Sequence, residues 1–179
     1  MSSEFIGELK KWANDAAHQT DEDGVDLSRA VDLIGKTFAV QTHEVAILAL
    51  TPDALFLKFL APESLRMVGQ IPLSSTNSVA SRTFRERRPE TINHFSVVPH
   101  SSVFEAVPIA ESQRAHAIQK IMSAPIMQAG KAIGVVQISR KGKTAADAGP
   151  DFTPSQMREL KTICDVLATC LTACAKEKV

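Results

Sequence analysis

Three histidines, His94, His100 and His116, share one stretch of the chain with Glu105 and Glu111. Imidazole plus carboxylate is a donor set that suits zinc or iron. The spacing is irregular, with neither the i, i+4 pair that puts two ligands on one helix face nor a Cys-x-x-Cys arm, so no metal is expected. The histidines read better as hydrogen-bond partners for an anionic or polar ligand, or as ordinary loop residues. An imidazole that changes charge near neutral pH could also make the segment a switch. Upstream, Arg82, Arg85, Arg87 and Arg88 give a helix a basic end, which solvates it and complements the negative pole of its C-terminus. One guanidinium turned inward could instead clamp a carboxylate or phosphate through two parallel hydrogen bonds, with Arg85 or Arg88 as the candidates. At the start of the same helix stand Ser74, Ser75, Thr76, Asn77 and Ser78. Some of these must cap it, and such a terminus also suits an anion, although no Gly-rich phosphate loop accompanies it.

Cys164, Cys170 and Cys174 all lie near the C-terminus. Cys170 and Cys174 share a helix face, but no third ligand joins them, and the surrounding LATCLTACA holds no cation to lower a thiol pKa. They read as small packing residues. An odd number of cysteines also argues against a disulfide framework. A nucleophile beside a base, a carboxylate pair, a Gly-x-Ser-x-Gly elbow, a His-Glu-x-x-His helix and a dinucleotide fingerprint are all missing. The chain is therefore read as a non-enzyme, with no catalytic residue assigned.

Twenty basic residues balance twenty acidic ones, so no long-range field draws the chain to nucleic acid or an anionic membrane. With no Tyr and one Trp there is no aromatic platform for single strands. The opening MSSEFIGELKKW is too charged for a signal peptide, and no stretch approaches the roughly 20 apolar residues that span a bilayer. A cytoplasmic location is expected.

The elements that must position these groups follow from periodicity. Phe5, Leu9, Trp12 and Ala16 recur at helical spacing, and Asp26 offers an N-cap for a second helix with the stripe Leu27, Ala30, Val31, Ile34 and Phe38. The runs VAILAL and ALFLKFL flank Thr51-Pro52-Asp53, which suits a type I turn and a hairpin buried on both faces. A strand is expected over 65–73. Ser74 and Ser75 would cap a helix stopped by Pro89, followed by a short strand from Glu90 to Asn93. The stretch 94–117 shows no period and is the place for a lid, formed by about Phe95 to Ala117. Strands over 118–127 and 131–140 enclose Gln128-Ala129-Gly130, and Pro125 within the first argues for an edge or a bulge. Thr153, Pro154 and Gln156 write a capping box and helix start. That last helix carries two apolar stripes: Met157, Leu160, Cys164, Leu167 and Leu171, and beside them Ile163, Val166, Cys170 and Ala173. One stripe exceeds what a sheet needs, so a homodimer is expected through Leu9, Trp12, Leu160, Ile163, Leu167, Cys170 and Leu171.

Order and spacing together resemble the GAF family. The matching residues are Ile71-Pro72-Leu73, Arg88-Pro89, Ala124-Pro125-Ile126, Gly130, Ile133-Gly134-Val135-Val136 and Phe152-Thr153-Pro154. The resemblance implies an α+β fold, PAS-related, with a central antiparallel sheet of about six strands. Terminal helices would cover one face, and a ligand pocket and loop would occupy the other. It divides the chain into an N-terminal helix and linker, 1–25, and one GAF-like domain, 26–175. The residues placed at such a pocket are Ser74, Ser75, Asn77, Phe84, Arg85, His94, His100, Phe104, His116 and Met122. The cyclic-nucleotide signature of the family is incomplete here: Ser139-Arg140 stands for its Asn-Lys, and Gln156-Met157 for its Asp-Glu. Bilin attachment and free methionine sulfoxide reduction both need pocket thiols, whereas these cysteines lie on the terminal helix. The expected function is a sensory or regulatory module that binds an unidentified small molecule and acts through a helical dimer and a downstream signalling protein. The alternatives are a dimerisation or interaction domain without ligand, and a reductase-like enzyme.

Overall fold

The computed structural model describes residues 3–16, 26–67, 69–95 and 117–176, with side chains from residue 5 to residue 171 within those ranges. Six strands form one antiparallel sheet in the order β3-β2-β1-β6-β5-β4. They are β1 (Val45–Leu50), β2 (Phe56–Ala61), β3 (Gln70–Pro72), β4 (Glu90–Ile92), β5 (Ile118–Gln128) and β6 (Lys131–Lys141). Helices α1 (Ser3–Ala16), α2 (Ser28–Phe38) and α4 (Pro154–Lys176) build a layer on one face, and α3 (Val79–Glu86) lies on the other. No helix among the described residues is long and apolar enough to cross a membrane.

The helical layer forms as the apolar spacing requires. The α2 stripe of Ala30, Val31, Ile34 and Phe38 is buried, and the helix ends at Ala39 in the left-handed conformation, with the Val40 amide returning to the Gly35 carbonyl at 3.0 Å. Asp26 is not its N-cap. Leu27 takes that position, and the Asp26 carboxylate accepts the Ser28 amide at 2.8 Å, closing an Asx turn one residue earlier. At the start of α4, Thr153 Oγ1 accepts the Gln156 amide at 3.3 Å while the Thr153 amide donates to Gln156 Oε1 at 3.0 Å, the reciprocal capping box.

The expected dimer surface is consumed within the chain. Leu9, Trp12, Leu160, Ile163, Leu167 and Cys170 are buried, and Leu171 packs partly buried against them, all in one apolar core with β1, β5 and β6. The reason is geometric. α4 lies between the sheet on one side and α1 on the other, so the described residues of both stripes are buried or partly buried within the chain. Its outward residues, Arg158, Lys161, Asp165 and Thr169, are exposed, as are Glu8, Lys10, Lys11 and Asp15 of α1.

On the sheet, β1 is buried along most of its length, but β2 alternates, with Lys58 exposed between buried Leu57 and Phe59. The 65–73 stretch is not one strand. A short 3-10 turn, Glu63–Leu65, precedes β3, because the Leu65 amide bonds back to the Pro62 carbonyl at 3.0 Å and seats Leu65 in the core. The β5-β6 turn uses Ala129 and Gly130 at φ 46° and 76°, the pair of positive φ values that lets two residues join twisted strands. Pro125 lies past the reach of β4, which pairs only with Ile121 to Ser123, and a register shift follows at Ile126/Met127. At Gly134 any side chain would collide with the Leu48 carbonyl, so β1 and β6 approach as they do only because this residue is glycine.

Candidate functional site

The two faces of the sheet differ in chemistry. Beneath α3 the apolar set is Ala46, Leu48, Leu57, Phe59, Leu65, Ile71, Val79, Ala80, Phe95, Ile118, Ile121 and Val135. Among these lie polar side chains that are equally buried: Ser81, Thr83, Ser123 and Gln137. Glu90, Ser123 and Gln137 are successive cross-strand partners on β4, β5 and β6, so strand pairing alone lines them up in a row. Thr83 reaches down from α3 and its hydroxyl lies 2.8 Å from Ser123 Oγ, to which Gln137 Nε2 donates at 3.3 Å. Arg82 grips Glu90 from the same helix through two bonds, Nε to Oε1 at 3.0 Å and Nη2 to Oε2 at 2.9 Å. Hydrogen bonding to Glu90 raises the Arg82 pKa. Ser81 Oγ donates to the Pro72 carbonyl at 2.9 Å, anchoring α3 to the end of β3.

Among the residues expected at the pocket, only a few converge. α3 is capped by Ser78, whose Oγ accepts the Ser81 amide at 3.2 Å, and not by Ser74 or Ser75. Ser74 and Asn77 are exposed and Ser75 is half-buried. Arg85 donates through Nη1 to the carbonyls of Leu73 and, at 2.9 Å, Ser75, so it ties α3 to the turn before it. Arg88 is exposed and pairs with Glu86 at 3.0 Å. An inward guanidinium clamping a carboxylate does exist, but it is Arg82, and its partner is the chain's own Glu90. Phe84 packs partly buried against the α3-side core, and His94 is exposed at the end of β4. Met122 belongs to the opposite core, with α4. Side chains alternate along a strand, so its neighbours Ile121 and Ser123 take the α3 side and Met122 cannot. His100, Phe104, His116 and the lid expected over 95–117 lie outside the described residues, apart from Phe95 and Ala117.

Thr83, Ser123, Gln137 and Glu90 were not singled out from sequence. The available signal was a polar residue at an inward position of an apolar strand, in IMSAPIM and GVVQIS.

A second polar cluster sits where β4, β5 and β6 meet the start of α4. Asn93 holds Phe152 twice: its Oδ1 accepts the Phe152 amide at 2.9 Å and its Nδ2 donates to the Phe152 carbonyl at 3.2 Å. Lys120, buried, donates to the Gly149 carbonyl at 2.6 Å and pairs with Asp151 at 2.8 Å. That hydrogen bond lowers the Asp151 pKa. The Arg140 guanidinium stands 4.8 Å from the Phe152 ring centre and donates to the Phe38 carbonyl at 3.0 Å. Burial lowers the Arg140 pKa, and Glu44 opposes that shift.

Cys164 and Cys170 are buried in the helical core. Burial pushes the Cys164 thiol far up, with Asp165 adding to the effect, so it stays protonated. Among the described residues no group of three His, Cys, Asp or Glu side chains is placed to hold a metal ion. A separate cleft of about 660 Å³ opens beside α2, with Asp26, Asp32, His43, Glu63 and Arg66 among its lining residues, and it contains none of the expected pocket residues.

A family model described as "GAF domain" matches residues 26–171, and the chain belongs to that family. GAF domains are sensory and regulatory modules. Solved structures agree on the fold. The GAF domain of an Acinetobacter phosphoenolpyruvate-protein phosphotransferase is 17% identical with a TM-score of 0.64, over 98% of this chain and 97% of that one. Residues 122 to 287 of a methyl-accepting chemotaxis protein are 17% identical with a TM-score of 0.63, over 96% and 99%. The free methionine-R-sulfoxide reductase of Neisseria meningitidis, solved with its substrate, is 14% identical with a TM-score of 0.64, over 99% and 95%. Among curated proteins, none is similar in sequence.

Proposed function

We propose that this chain is a cytoplasmic sensory or regulatory module that binds a small polar molecule on the α3 side of its sheet and passes the event to another protein. The observation that supports it most is the buried row of Thr83, Ser123 and Gln137. Apolar side chains of the same size would fill this space at similar stability, so a hydroxyl and amide row marks a place where hydrogen-bonding capacity is kept. In the described arrangement these groups satisfy one another. A ligand would therefore exchange its own donors and acceptors for theirs as α3 shifts, and the charged outer surface of α1 and α4 would present the change to a partner. A polar metabolite with both donors and acceptors, such as an amino acid or a nucleobase, fits this row better than a hydrocarbon.

A panel of such metabolites, screened by melting temperature, tests the reading. A ligand at 100 times its dissociation constant stabilises by about 2.7 kcal/mol, a rise of roughly 5 to 11 °C for a domain of this size. If no compound moves the transition, the second reading takes its place: a domain without ligand that works by docking. The mutual satisfaction of Thr83, Ser123 and Gln137 is what favours that alternative.

A further inference from the structure

β4 is three residues long and, among the described residues, pairs only with β5 at the end of the strand order. Despite its length it is gripped at both ends by groups from opposite faces. Glu90 at its start is held by the two-pronged Arg82 of α3. Asn93 just after its end holds the amide and the carbonyl of Phe152. Phe152 directly precedes Thr153, whose side chain caps α4. α3 and α4 lie on opposite faces of the sheet.

We propose that β4 is the relay between α3 and α4, with Asn93 as its positioning residue: a displacement of α3 pulls Glu90, shifts the strand, and resets the first turn of α4 through Phe152. A strand of three residues has few ladder bonds to its described neighbour β5 to resist such a shift, whereas the long central strands β5 and β6 share an extended ladder. The anchors around Phe152 sharpen the effect. Lys120 fixes Gly149 and Asp151, and Arg140 covers the Phe152 ring, so Phe152 reads the position of β4 against a frame set by β5 and β6. This deepens the proposed function by giving the α3-side site an output, yet the coupling is a property of the unliganded chain and is measured without any ligand.

The experiment is amide hydrogen exchange on the whole protein, read at Phe152, Gln156 and Met157. Arg82→Ala, made on the far face of the sheet, is expected to speed exchange at these three amides several-fold while leaving the β1-β2 pairs unchanged. Asn93→Ala is expected to speed them about tenfold, as the loss of two hydrogen bonds implies. In the Asn93→Ala background, Arg82→Ala should then add nothing, because the link is already cut. Arg82→Lys, which keeps the charge and loses the fork, is the gentler variant should Arg82→Ala fold poorly. Unchanged α4 amides in the Arg82 variants, simple additivity of the two changes, or equal acceleration at every amide would each overturn the relay. A relay without a metabolite hit, or a hit without a relay, separates this proposal from the ligand reading.

Discussion

The two faces of this sheet are built from the same strands and differ in what those strands place on them. On the helical face, β5 contributes Met122, Ala124 and Ile126 and β6 contributes Val136 and Ile138, all apolar, to a core shared with α1, α2 and α4. On the α3 face the same strands contribute Ser123 and Gln137 beside Ile121 and Val135. Among the described residues, one helix of eight residues packs on that face and three longer ones on the other. Apolar burial is non-directional and stabilises whatever packs on it, whereas a polar row is stabilising only when every group finds a partner. Apolar burial therefore stabilises both faces, and the α3 face depends in addition on the hydrogen bonds among Thr83, Ser123 and Gln137.

The contrast can be broken most forcefully at Leu167, which is fully buried in the helical core. Leu167→Ala is expected to cost about 2 to 5 kcal/mol by urea titration, the range for an aliphatic side chain removed from a tight core. Sedimentation of Leu167→Glu should show unfolded or aggregated chain, since the side chain faces its own sheet and not a second copy. A clean shift from folded dimer to folded monomer would restore the dimer reading.

On the other face, Ser123→Ala should cost about 1 to 3 kcal/mol, because it strands the Gln137 amide in a buried site and leaves the Thr83 hydroxyl only its long 3.5 Å contact with Glu90 Oε1. The additional change Thr83→Val removes that poorly bonded hydroxyl and should recover part of that loss. Full additivity in the double-mutant cycle would mean that the 2.8 Å Thr83–Ser123 contact couples nothing.

The smallest expected effect is at His43, half-buried by the α2-side cleft, where burial first and Lys141 second lower its pKa from 6.5, while Glu44 opposes them. The unfolded chain takes up the proton at its ordinary value and the folded chain resists it. The contribution of His43 is thus complete above pH 6.5 and is lost as pH falls below it. Comparison of urea midpoints between pH 7.5 and 5.5 should show a shallower decline in His43→Gln than in the unaltered protein.

Much of the fold was legible because apolar spacing and caps are local. The stripes of α1, α2 and α4, the Thr153-Gln156 box and the Ala129-Gly130 turn each need only a few neighbouring residues to be read. The site was less legible because its groups come together from afar: Thr83 from a helix, Ser123 and Gln137 from two strands, and Glu90 from a third. A one-residue register decides whether Met122 or Ser123 faces α3, and a local pattern does not carry that register. The second stripe of α4 was ambiguous in a different way. Periodicity reports that a face will be covered, but not whether α1 or another chain covers it.

The central claim, that the ligand binds on the α3 face and not on the helical face, is tested most directly by Gln137→Leu against Leu167→Ala in the metabolite panel. The account predicts that Gln137→Leu stays folded and loses the ligand-induced rise in melting temperature, while Leu167→Ala melts lower but keeps the full rise. An undiminished rise in Gln137→Leu, or loss of the rise in Leu167→Ala alone, would contradict it.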